Sequence, residues 1–151
     1  MSEQMNVRWG WLRFMYLYTF VGAGGLGLGI ILVPGLVVSI AHLPTEDPII
    51  LGIVGSVYLS FGLLSLLGLR DPLKFLPILL LQLCYKAVWS VAVILPLMLS
   101  GSLPSYAIPI VLIFMTWILG DLIAIPFSYA LGAPKGVQTG PGFPGVLGQR
   151  R

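Results

Sequence analysis

Four long apolar stretches, parted by short breaks of glycine, proline and charge, set the pattern of this chain. Each is close to or above the roughly 20 residues that an α-helix needs to cross a bilayer. The pattern predicts helices over about 11–32, 49–69, 72–99 and 105–131. Pro34-Gly35 breaks or kinks the end of the first, so LVVSIAHL (36–43) either continues it or lies along the interface. PTEDP (44–48) reads as a turn from its two prolines and its Thr and Asp. GLRDPLK (68–74) reads as a tight turn, with Asp71 as cap and Pro72 in the first turn of the third helix. SGSLPS (100–105) is a short uncharged turn. Residues 132–151 are a Gly/Pro-rich tail whose composition forbids helix or strand. The expected fold class is therefore all-α: a four-helix transmembrane bundle over 1–131, followed by a cytoplasmic tail.

Composition agrees. Only 9% of residues are charged and 58% are hydrophobic, against about 25% charged in soluble chains. No stretch is long and polar enough to form a separate soluble domain. The net charge of +3 is no nucleic-acid signature, because seven of the eight Lys and Arg lie beside helix ends, where topology accounts for them. The apolar run after Arg8 and Arg13 is too long for a signal peptide, and no small-x-small site follows a short core, so it reads as an uncleaved first helix.

Basic residues also predict orientation. With four crossings, Arg8, Arg13, the 68–74 turn, Lys135, Arg150 and Arg151 share one side, while the turns at 41–48 and 100–105 carry no Lys or Arg. The positive-inside rule then places both termini in the cytoplasm.

Within this apolar chain two ionisable residues stand at membrane depth, Lys86 and Asp121, on consecutive helices. Such a group costs at least ~2.5–3.5 kcal/mol on insertion scales, so each calls for a partner, a cavity or a role. Counting residues from the helix ends puts them at similar depth, and a direct buried pair is the expectation. Gln82, Tyr85, Lys86 and Trp89 share one helical face by their i, i+3, i+4, i+7 spacing, and Trp117 lies one turn before Asp121. These residues are candidates to line a polar seam, with hydrogen-bond and cation–π partners for the pair. A structural pair that fixes helix register is the plain reading. A pocket for the head group of a quinone, lipid or pigment comes next, and a proton or ion path follows, since relays use several acidic or His groups. A catalytic lysine lacks any legible second base or oxyanion arrangement, so no catalytic residue is assigned.

Other motifs are weak. Gly22-x-Gly24-x-x-Gly27 matches the dinucleotide fingerprint only in letters, because no strand precedes it. The small residues Gly25 and Gly29, with Gly52, Gly55, Ser56 and Gly62 on the second helix, are expected to mark close helix packing. His42, Glu46 and Asp47 cluster in one loop but are too few for a metal site, and one Cys (Cys84) with one His excludes the usual zinc frameworks.

The order of features resembles that of small four-helix bacterial DoxX-like membrane proteins. The residues that carry it are ILVPGLVVSIAHLP, the acidic proline-containing turn, LGIVGSVYLSFGLLSL and RDPLKF, within a likeness over about residues 12–131. The resemblance implies a bacterial cytoplasmic (inner) membrane protein of the kind associated with quinone-linked or thiol-linked redox systems. Cys84 alone gives no support for thiol chemistry, and no catalytic residue is carried over.

Three functions follow as expectations. The first is a non-catalytic accessory or assembly subunit, held in a larger membrane complex through helices 1 and 2 and the C-terminal tail. The second is a binder or carrier of a small hydrophobic ligand (quinone, lipid or pigment) around Lys86 and Asp121. An integral-membrane enzyme ranks last.

Overall fold

The computed structural model describes residues 7–44 and 47–131. The tail at 132–151, the first six residues, Thr45 and Glu46 lie outside the described residues, and with them the expected roles of Lys135, Arg150 and Arg151. Every regular element among the described residues is a helix, and four of these helices are long and apolar enough to cross a membrane. The chain is thus an all-α integral membrane protein. These helices are α1 (Trp9–Leu32), α3 (Pro48–Arg70), α4 (Leu76–Leu99) and α5 (Ala107–Ala124). Two short ones accompany them, α2 (Pro34–Ile40) and α6 (Phe127–Ala130).

Proline sets most of the boundaries. The ring of a proline pushes the preceding residue out of the helical region. Val33, before Pro34, has φ −139° and ψ 57°, which separates α2 from α1. Ile125, before Pro126, is extended at ψ 120°, so the fourth helix ends at Ala124 rather than near 131. The third helix also starts later than expected. Asp71 closes α3 instead of capping α4, residues 71–75 form the turn, and Pro77 rather than Pro72 sits in the first turn of α4. Asp47 caps α3, its Oδ1 accepting from the Ile49 and Ile50 amides at 2.8 and 3.2 Å. Wide π-helical turns interrupt α1 at Phe20–Gly24 and α4 at Ser90–Ile94.

The most extensive contact joins the second half of α1 to α3, while the first half of α1 packs on both α3 and α5. Helix α4 lies against α5 and touches α3 more sparsely. The α1–α3 seam is glycine on glycine. A Cβ on Gly62 would collide with the Gly24 backbone, one on Gly27 with Leu59 and Gly55, and one on Gly55 with Ile30 at 2.6 Å. This corrects the expected register on α1. Gly25 has open space where a side chain would stand, and Gly29 faces only Val37 of α2. Gly24 and Gly27 continue the buried face of Tyr16, Thr19 and Ala23 at helical spacing, whereas Gly25 falls on the opposite side of the helix. On α3, Gly55 and Gly62 lie in the seam, whereas Gly52 has open space and Ser56 is exposed.

Candidate functional site

Each long helix brings a polar or aromatic side chain into the interior on a face otherwise filled with carbon. On α1 the buried face runs Leu12, Met15, Tyr16, Thr19 and Ala23, at helical spacing. Helix α4 contributes Leu76, Leu79, Gln82 and Lys86, and α5 contributes Phe114, Trp117, Gly120 and Asp121. Near the basic turn the Tyr16 hydroxyl donates to the Pro72 carbonyl at 2.8 Å, with its ring against Gly68. That anchors α1 to the α3–α4 turn.

The polar centre is built on Gln82, which has no exposed surface. Its amide nitrogen donates to Thr19 Oγ1 at 3.0 Å and to Asp121 Oδ2 at 3.1 Å. Both amide protons are used, and α1, α4 and α5 are tied together at one level. Asp121 is fully buried.

Lys86 is 1% exposed and also turns inward, but the expected direct pair with Asp121 is not formed. The Lys86 ammonium meets no hydrogen-bond partner, and the carboxylate takes its hydrogen bond from Gln82 instead. Aromatic rings surround the Lys86 nitrogen: Tyr85 with its centroid at 4.6 Å, Trp117 at 4.7 Å and Phe114 at 5.3 Å. A ring face within about 6 Å attracts a cation through its quadrupole, by ~2 kcal/mol or more once water is excluded. The aromatic box thus does much of what a carboxylate was expected to do.

Second contacts hold the box in place. Trp117 packs against Tyr18 at 4.7 Å and over Gly22, where a Cβ would lie 2.6 Å from the indole. The Tyr18 hydroxyl hydrogen-bonds Thr116 Oγ1 at 2.8 Å. Trp89 is half-buried and packs tilted against Phe114 at 4.9 Å, so it backs the box and does not face Lys86. Tyr85 packs against Phe61 at 5.5 Å, on the α3 side.

Four buried polar atoms in this region have no hydrogen-bond partner among the described residues: Gln82 Oε1, Asp121 Oδ1, Lys86 Nζ and Trp117 Nε1. Two are acceptors and two are donors, from α4 and α5 alone. An unsatisfied buried group costs about 1–3 kcal/mol, so the cluster is complementary to a group that both donates and accepts. No cluster of three or more metal-ligating His, Cys, Asp or Glu side chains is present among the described residues.

Fold and site together define the class: an all-helical integral membrane protein with a polar cluster, walled by aromatic rings, inside its helices. No family model, curated protein or solved structure matches the chain.

Proposed function

We propose that the protein is a small non-catalytic membrane protein that binds the polar head of a small hydrophobic molecule, such as a quinone, lipid or pigment, at Lys86, Asp121, Gln82 and Trp117. The observation that carries this reading is the set of four unpartnered buried atoms, two donors and two acceptors, on adjoining helices. A structural role alone would favour closing those atoms on one another, because open polar groups in a dry interior weaken the fold. The resemblance to DoxX-like proteins points the same way. In this reading both termini are cytoplasmic and the host membrane is a bacterial inner membrane.

Purification in mild detergent followed by native mass spectrometry tests it. The wild-type protein is expected to carry a small molecule in near one-to-one ratio, and Lys86→Met combined with Asp121→Asn is expected to lose it while eluting as a folded protein. A wild-type protein free of ligand, or a double variant that keeps it, would overturn the reading.

A second reading, an accessory subunit of a larger complex, has its own support. Gly25 and Gly52 present open small-residue surface to the outside. An apolar cavity of about 780 Å³, lined by residues including Pro34, Val38, Ile49 and Gly52, lies among α1, α2 and α3. A polypeptide that co-purifies in fixed ratio would favour this reading.

A further inference from the structure

Helices α3 and α4 touch only sparsely, and the space between them is a groove on the outside of the molecule. Its larger part, about 430 Å³, runs between Ser56, Ser60 and Phe61 on α3 and Pro77, Ile78 and Leu81 on α4. A second cavity of about 200 Å³ is lined by Val57, Tyr58 and Tyr85, among others. Val57 lines both, so the two adjoin on α3. The groove wall is apolar in effect. The Ser56 hydroxyl donates to Gly52 O and the Ser60 hydroxyl to Ser56 O, each at 2.8 Å, which leaves neither proton for an occupant. The Tyr85 ring lines the second cavity and also contacts Lys86, whose nitrogen lies 4.6 Å from the ring centroid.

We propose that this groove is the lateral route from the bilayer to the Lys86–Asp121 site, taken by a single-chain amphiphile with an uncharged hydroxyl or carbonyl head, and that Tyr85 is the gate. The inference rests on the ligand-binding reading above and adds the route and the ligand's charge and shape. Charge decides the head. Lys86 and Asp121 sum to zero whether or not a proton has passed between them, so a charged head would bring an uncompensated charge into a dry interior. A hydroxyl matches the open atoms, accepting from Lys86 Nζ or Trp117 Nε1 and donating to Asp121 Oδ1 or Gln82 Oε1. Shape decides the tail. A narrow apolar groove beside a single inner gate takes one alkyl or prenyl chain and has no place for the second chain and charged head of a phospholipid.

The test uses the full-length protein in phosphatidylcholine nanodiscs with a long-chain fatty alcohol that carries a mid-chain diazirine. Labelled positions are mapped by mass spectrometry after illumination. Ser60→Trp fills the groove from α3 at an exposed position, and Leu81→Trp fills it from α4. Leu28→Trp, on the exposed face of α1, is the control. The wild-type protein is expected to be labelled on the groove faces of α3 and α4, with displacement by unlabelled hexadecanol but not by hexadecane. Both groove-filling variants are expected to lose this labelling and the control to keep it. Labelling near Trp117 that survives Ser60→Trp and Leu81→Trp would overturn the lateral route and leave the binding site standing. Labelling spread evenly over all lipid-facing helices, with no competition by hexadecanol, would overturn route and site together.

Discussion

At the scale of single residues, space decides more than polarity. Gly27 sits so close to Leu59 and Gly55 that one added methyl meets backbone, which cannot rotate away. Gly27→Ala is therefore expected to destabilise by about 1–3 kcal/mol, whereas Gly25→Ala, with open space, should be close to neutral. Thermal unfolding of both variants in detergent checks this, and equal losses would place the seam elsewhere. Helical phase separates the two: Gly27 lies one turn beyond the buried Ala23, and Gly25 falls on the opposite side. Lys86, Asp121 and Gln82 were legible because each is polar inside a run of carbon. Thr19 and Phe114 were not. A lone threonine is common in apolar helices, and a phenylalanine among leucines and isoleucines gives no sign that its ring faces an ammonium group. The expected salt bridge failed for a related reason. Similar depth brings two groups to one level, but the orientation of Trp117 and Phe114 determines what the lysine touches.

Helix ends follow a small set of rules, and proline acts on them mainly through the residue that precedes it. Pro72 looked like the start of a helix, yet Pro77 fills that role, and Pro126 ends α5 through the residue before it. The crossing segments themselves were plain from hydropathy. The two π turns were not, since FVGAG and SVAVI fit an ordinary helix equally well. At the end of α2, His42 takes a left-handed conformation with φ 51°. The Leu43 amide donates to Val38 O at 3.1 Å and the His42 amide to Ser39 O at 3.3 Å, a paired closure that usually has glycine at this position. A side chain there costs about 1–2 kcal/mol, partly offset by the greater freedom glycine gives the unfolded chain. His42→Gly is expected to stabilise by roughly 0.5 kcal/mol, seen as a small rise in melting temperature. A fall would mean that the imidazole has a contact of its own to lose.

For the whole molecule, the proposed orientation places Lys74 on the cytoplasmic side and Ser102 on the opposite one. In a Cys84→Ser background, Ser102→Cys should react with a membrane-impermeant maleimide in intact spheroplasts, and Lys74→Cys only after lysis. The reverse order would invert the topology. The class of the molecule was readable from charge scarcity and segment length alone, because a chain with so few charges leaves few alternatives to the bilayer. The packing order was not readable, since hydropathy says which segments enter lipid and nothing about which neighbours they choose. The tight glycine contact joins α1 and α3, which are made before α4 and α5, and it needs neither of these. A nascent chain can therefore close the α1–α3 hairpin while the ribosome is still making α4 and α5. The polar side chains of α4 and α5 then arrive against a wall that already stands.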